Sequence, residues 1–67
     1  MISSNIKMMM KDQGITIRDL MGRTGLSNET ILRARSEKIR LCRLETLATI
    51  AAALGVRTKD LYEESDG

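Results

Sequence analysis

The chain is predicted to fold as a compact, all-α domain of five helices, and three observations carry this prediction. It has 67 residues, enough for a single domain with one small core. It contains no proline and only sparse runs of β-branched residues, which favours helices over strands. Apolar residues recur at the i, i+3, i+4, i+7 spacing of a one-sided helix, as in Ile17, Leu20, Met21 and Thr24.

The centre of the prediction is a pair of short helices over about residues 16–35. Thr16 can cap the first helix, and Asp19 can complete a capping box. Gly25 ends that helix, because glycine enters the left-handed region without a Cβ penalty. Ser27 is the N-cap candidate of the second helix. We therefore expect a helix-turn-helix unit.

The second of these helices has two chemically different sides. Helical spacing turns Ile31 and Ala34 inward and leaves a polar side outward, formed by Asn28, Glu29, Leu32 and Arg33. A short helix held across another, with hydrogen-bonding groups near its start, is what reading of the DNA major groove requires.

The other helices are predicted from caps and apolar spacing. Ser3 or Ser4 caps a first helix that runs to about Lys11, with Met9 as its core methionine and Gly14 as its stop. A fourth helix runs from Arg43 to Leu54, ends at Gly55, and faces the core with Leu44, Leu47, Ala48, Ala51 and Leu54, widened by Ile50.

The remaining segments are expected to be short or irregular. Residues 36–42 are predicted to be a basic loop. Thr58 caps a last helix from Lys59 to about Glu63, with Leu61 closing the core. Residues 65–67 are expected to be frayed.

Charge is distributed unevenly along the chain. Residues 1–59 carry 11 Lys and Arg against 5 acids, a balance of +6, while residues 60–67 carry four acids, a balance of −4. A basic body suits a polyanion, because neutralised phosphates release counterions. The alternative explanation is an ordinary solvated surface with an acidic tail.

Composition argues against several classes of protein. With no histidine and a single cysteine, neither a zinc site nor an internal disulfide is expected, and we predict no metal or cofactor. No histidine can activate Cys42 and no glycine-rich phosphate loop occurs, so no catalytic residue is predicted and we expect no enzyme. No signal peptide or membrane span is recognised, which with a free thiol predicts a cytoplasmic protein.

Two stretches carry a family resemblance: ITIRDLMGRTGLSNETILRAR and LETLATIAAALGVRTKDLY. They resemble the lambda-repressor-like helix-turn-helix domains, also called Cro-type or xenobiotic-response-element type, over about residues 6–62. The resemblance implies a five-helix DNA-binding fold and a transcriptional regulator that acts as a repressor. It also implies a homodimer that binds a palindromic operator. The same fold also serves in antitoxins and other protein-interaction modules, so a protein partner is the alternative hypothesis.

The resemblance also implies site residues. Base contacts are expected from Asn28, Glu29 and Arg33, and from Leu32, which can meet a thymine methyl group. Phosphate contacts are expected from six polar or basic residues, namely Arg18, Ser27, Thr30, Lys38, Arg40 and Arg43.

The chain also departs from the family pattern at defined positions. Ile17 replaces a glutamine that contacts phosphate in many members. Met10 and Arg35 replace an arginine–glutamate pair, so that salt bridge cannot form here. Glu37 replaces a glycine that usually follows the second helix of the unit.

Overall fold

The structure, a computed structural model, describes residues 1–66. Its elements follow in the order β1 (Ile2–Ser4), α1 (Ile6–Gln13), α2 (Ile17–Thr24), α3 (Asn28–Ala34), a first 3₁₀ helix (Glu37–Leu41), α4 (Leu44–Leu54), a second 3₁₀ helix (Thr58–Leu61) and β2 (Tyr62–Glu64). The all-α class is confirmed. Four α-helices form instead of five, because the last predicted helix is a single 3₁₀ turn.

The helix-turn-helix forms with the predicted caps and stop. Thr16 Oγ1 accepts from the Asp19 N–H, and Asp19 Oδ2 accepts from the Thr16 N–H, both at 3.1 Å. Gly25 ends α2 in the left-handed region with φ of 74°. Ser27 Oγ accepts from the Thr30 N–H at 3.2 Å and starts α3. The unit is therefore fixed at both helix starts and at its turn by local interactions.

One apolar core lies beneath all the helices. Ile31 and Ala34 of α3 are fully buried, as predicted. The remaining buried side chains come from every other helical element: Ile6, Met10, Ile15, Leu20, Ile39, Leu47, Ile50, Ala51, Leu54 and Leu61. Because α3 has its inner side in this core, its outer side is held in a fixed orientation.

Three core assignments made from spacing were wrong. Met10, not Met9, is the buried methionine of α1, one helical turn after the buried Ile6, while Met9 is half-buried and packs against the edge of the core. Leu44 is 69% exposed and Ala48 is exposed, so the buried face of α4 is narrower than predicted and consists of Leu47, Ile50, Ala51 and Leu54. Ile50 takes the central buried position instead.

The chain begins and ends in a two-stranded antiparallel sheet that was not predicted. Ile2 pairs with Glu64 and Ser4 with Tyr62. Ser4 therefore lies in β1 and is not the N-cap residue, but its hydroxyl accepts from the Ile6 N–H at 3.2 Å at the start of α1 and donates to the Ala34 carbonyl at 2.6 Å. Helix α1 begins at Ile6 after an Asn5 N-cap.

The segments on either side of α4 are more ordered than predicted. Residues 36–42 contain the first 3₁₀ helix, because the Ser36 hydroxyl caps it and Ile39 enters the core. Arg57, not Thr58, precedes the second 3₁₀ helix, and its N–H donates to Asp60 Oδ2 at 3.0 Å. Leu61 closes the core as predicted.

The two chain ends are joined by backbone hydrogen bonds. The Ser65 N–H donates to the Met1 carbonyl at 2.9 Å, and the Met1 nitrogen donates to the Ser65 carbonyl at 2.8 Å. The expected fraying is therefore wrong at Ser65, and Gly67 lies outside the described residues. No helix formed by residues 1–66 has the length and apolarity to cross a membrane.

Candidate nucleic-acid interface

The outer side of α3 carries the four residues predicted to contact bases, which we call the reading face: Asn28, Glu29, Leu32 and Arg33. All four side chains are exposed, and Leu32 is 46% exposed although it is apolar. Three of them share a shallow depression of about 370 Å³ with Ser36 and Lys38. The predicted residues therefore lie together on one accessible surface.

The charged groups of the reading face are not consumed by internal ion pairs. Within residues 1–66 the one salt bridge joins Arg43 to Glu45 at 3.7 Å, and both side chains are exposed. The Arg33 guanidinium and the Glu29 carboxylate thus keep their hydrogen-bonding groups for a ligand. A free guanidinium can donate two parallel bonds to a guanine edge.

Two of the predicted phosphate ligands lie at the start of α3. The Ser27 and Thr30 hydroxyl oxygens are 2.9 Å apart and share a hydrogen bond. Ser27 Oγ also caps the helix, so its geometry is fixed before any ligand arrives. Arg18 is exposed in the first turn of α2, the helix that α3 crosses.

The other three predicted phosphate ligands lie on different surfaces. Lys38 lies in the depression of the reading face. Arg40, two residues further along the same 3₁₀ helix, lines a separate apolar groove. Arg43 precedes α4 and is held near Glu45. The six residues are therefore not one continuous basic patch.

The prediction missed a cationic cavity next to the start of α2. It has a volume of about 290 Å³ and is lined by Lys7, Met10, Lys11, Ile15, Thr16, Ile17 and Arg35. The Arg35 Nε atom is buried and has no hydrogen-bond partner among the described residues. Buried polar nitrogens normally have a partner, so this unsatisfied atom is unusual. The signal available in the sequence was the arginine at position 35 in place of the family's glutamate.

Two ionisable groups near the unit have shifted pKa values. Hydrogen bonds from the Thr16 backbone and hydroxyl lower the pKa of Asp19, with a smaller effect of Arg23, so the capping carboxylate stays charged near neutral pH. Burial raises the pKa of Cys42, partly offset by Arg33. A protonated thiol is a poorer nucleophile than a thiolate.

Among residues 1–66 no group of three or more His, Cys, Asp or Glu side chains is arranged to hold a metal ion. The surface chemistry around α3 consists of hydrogen-bonding side chains and cations. Such a surface can bind a polyanion by contacts to phosphate and can distinguish bases by contacts to their edges.

The sequence profile of the Cro/C1-type helix-turn-helix DNA-binding domain matches residues 5–66. The chain therefore belongs to this family of DNA-binding domains, which confirms the resemblance inferred from its two characteristic stretches. The family is one of transcription regulators and is not defined by an enzymatic reaction. No curated protein and no solved structure matches the chain.

Proposed function

We propose that this protein is a sequence-specific transcriptional repressor of the cytoplasm that reads the major groove of double-stranded DNA with α3. The observation that carries the proposal is the division of α3 into two sides. Ile31 and Ala34 are fully buried, while Asn28, Glu29, Leu32 and Arg33 are all exposed on the opposite side. A helix fixed in this way inserts its outer side chains into a groove without further ordering cost.

The reading face supplies one group for each kind of base edge. Arg33 donates two parallel bonds to guanine, and Asn28 pairs with the donor and acceptor of adenine. Glu29 accepts from the cytosine amine, and Leu32 contacts the methyl group of thymine. In this proposal these four residues determine the preferred sequence.

The flanking residues supply contacts to the phosphate backbone. Ser27 and Thr30 present hydroxyl groups at the start of α3, and Lys38 extends the same surface by one cation. Arg18 and Arg43 complete the set that we propose, with Arg40 nearby. Arg35 joins them, because it lines a cavity together with Lys7 and Lys11 and forms no ion pair within residues 1–66. Such contacts fix the register of the protein on the duplex.

Repression would follow from occupancy of a promoter by a homodimer on a palindromic operator. A two-fold protein places two reading helices about 34 Å apart, one turn of duplex, which predicts half-sites separated by about 10 base pairs. The basic body of the chain, with a balance of +6 over residues 1–59, supports rapid association with DNA.

The test is selection of bound duplexes from a random pool, followed by inspection of the recovered sequences for two-fold symmetry. A symmetric motif is expected, and the double variant Asn28→Ala with Arg33→Ala should lose it. Lys59→Ala is the matched control, since it removes one cation from the second 3₁₀ helix and should recover the parent motif. Recovery of no motif, with no binding to any duplex at low salt, would refute the proposal and favour a protein-interaction module.

A further inference from the structure

An apolar groove lies beside the reading face, and Arg40 is the one residue of its lining that also belongs to the predicted phosphate contacts. Its volume is about 220 Å³, and it lies between the strands and the start of α4. It is lined by Ile2, Ile39, Arg40, Cys42, Leu44, Leu47 and Tyr62. Only one of these residues, Arg40, is charged. The groove is therefore an apolar recess in a surface that is otherwise rich in charge.

Two exposed leucines belong to the segments that line the groove. Leu44 lines it and is 69% exposed. Leu41, between Arg40 and Cys42 of the lining, is 62% exposed. Single exposed leucines need no explanation, but two leucines next to an apolar recess form a protrusion and a matching depression on the same surface. A surface that carries both halves of a contact can bind a copy of itself.

The charges around the groove are divided between its two sides. On the helical side, Arg40 and Arg43 are exposed. On the strand side, Glu64 is exposed and is paired across the sheet with Ile2, which lines the groove. A two-fold rotation about the groove brings the basic side of one copy to the acidic side of the other. Charge and shape are therefore both self-complementary.

We propose that this groove is the surface through which a second copy of the chain binds, with Leu41 and Leu44 of each copy entering the groove of the other. Arg40 then faces Glu64 of the partner subunit on both sides of the axis. This deepens the proposed function, since it rests on the homodimer that a palindromic operator requires. The dimer interface is thus assigned to the groove and not to an edge of the two-stranded sheet.

The outer edge of β2 is a poor alternative for self-association. An antiparallel two-fold pairing of β2 with its copy can place Glu63 opposite Glu64 of the partner subunit, and like charges directly opposite are destabilising. Acidic residues on an edge strand are a common protection against such pairing. In the groove contact Glu64 meets an arginine instead.

The position of the groove connects association with DNA reading. Lys38 lies in the depression of the reading face, and Arg40 lines the groove, although both belong to one short 3₁₀ helix. A partner docked at the groove is therefore next to the DNA-binding surface without covering Asn28 or Glu29. This arrangement leaves both reading helices accessible in the dimer.

The first test measures self-association of the full chain without DNA by sedimentation equilibrium. Leu44→Glu should raise the dimer dissociation constant at least about tenfold, because each substitution occurs twice in a two-fold interface. Met8→Glu is the matched control, since Met8 is 57% exposed on α1 and should leave the constant unchanged. Circular dichroism and melting temperature establish that both variants are folded. A monomeric parent, or a Leu44→Glu variant that dimerises like the parent, would overturn the inference.

The second test exchanges charges at low ionic strength. Arg40→Glu and Glu64→Arg should each weaken the dimer several-fold, because each places like charges together. The double variant should return to within about threefold of the parent, since the opposite charges face each other again. Additive weakening in the double variant would contradict the assigned pairing and overturn this orientation of the interface.

A third measurement separates this inference from the DNA-binding proposal. Leu44→Glu should bind a duplex that carries one half-site as well as the parent does, and should lose only the added affinity for the two-half-site operator. If the parent binds duplex but stays monomeric, the groove inference fails while DNA binding stands. If it dimerises through the groove but binds no duplex, DNA binding fails and the groove inference stands.

Discussion

The reading face and the groove meet at the first 3₁₀ helix, but they differ in their chemistry and in the packing beneath them. The reading face has four exposed side chains over two fully buried residues, Ile31 and Ala34. It contains both hydrogen-bond donors and hydrogen-bond acceptors. The groove is apolar, with charges only at its sides. The first surface is suited to recognise a sequence of base edges, whereas the second is suited to bury area against a partner.

This difference shows how a chain of 67 residues could bind two partners. Hydrogen bonding needs a rigid base, which the core beneath α3 provides. Association by burial needs exposed apolar side chains, and Leu44 provides one because it lies outside the buried face of α4. Substitutions on one surface should therefore leave the other unaffected, except at Arg40, which belongs to both.

The largest expected effect is on the reading face. Arg33→Ala should cost about 1–3 kcal/mol on the preferred duplex and relax the preference at one base pair, because a bidentate guanine contact is lost. Quantitative binding to the preferred site and to its single-base variants measures both. Self-association should be unchanged. Equal loss of affinity on every sequence would mean that Arg33 contacts phosphate and does not read a base.

The next effect concerns the turn that places the reading face. Gly25 has φ of +74°, and a Cβ there would meet nothing within 4 Å. The expected loss of stability in Gly25→Val is therefore conformational, at least about 1–2 kcal/mol, because an L-residue with a branched Cβ resists positive φ. Thermal unfolding measures it, with Gly22→Ala as the control in the middle of α2. An unchanged melting temperature in Gly25→Val would contradict a turn built on left-handed glycine.

A third prediction separates binding from stability at the cationic cavity. Arg35→Met removes a buried Nε that has no partner and keeps most of the side-chain volume, so the melting temperature should stay equal or rise. Affinity for all duplexes should fall together, and the slope of log K against log salt should decrease by roughly one. Lys59→Ala is again the control. A lower melting temperature with unchanged DNA affinity would show that Arg35 is structural.

A fourth prediction compares the two cations of the first 3₁₀ helix. Lys38→Ala should reduce the salt slope of DNA binding by roughly one and leave self-association unchanged. Arg40→Ala should weaken self-association as well, because Arg40 lines the groove. Sedimentation and salt titration of both variants give the comparison. Identical behaviour of the two variants would remove the distinction between the surfaces.

The smallest effect is a pH dependence at the start of α2. The pKa of Asp19 is lowered by its hydrogen bonds with Thr16, so its contribution to stability is present above the unfolded pKa and is lost as pH falls through the lower, folded value. Asp19→Asn should therefore reduce the loss of stability below about pH 4. Melting temperatures of parent and variant across pH 2–6 provide the check, and parallel curves would contradict it.

Local signals explain why the helix-turn-helix could be predicted from the sequence. Thr16 and Asp19 are three residues apart, Gly25 adjoins the helix it ends, and Ser27 adjoins the helix it starts. Helical spacing then decides which side of α3 faces out. The exposure of the four predicted base-contact residues follows from these short-range rules, while their contacts with DNA stay predictions.

The features that escaped prediction depend on residues far apart in the chain. Ile2 pairs with Glu64 across 62 positions, and no local pattern indicates such a strand. That pairing places Ser4 in β1, and α1 then begins at Ile6. The direction of the Arg35 side chain depends on α1 and α2 together, so the sequence marked the position but not the cavity.

The hydrogen bonds between Met1 and Ser65 have a practical consequence for joining two copies into one chain. Because these two residues are adjacent and Ile2 lines the groove, the proposed dimer would place both ends of each copy near the groove, where a flexible linker can connect the end of one copy to the beginning of the next. Such a tandem chain raises the effective concentration of the second copy to about the millimolar range. Operator occupancy would then no longer depend on the monomer–dimer equilibrium. The affinity of two linked reading helices for the operator could therefore be measured directly.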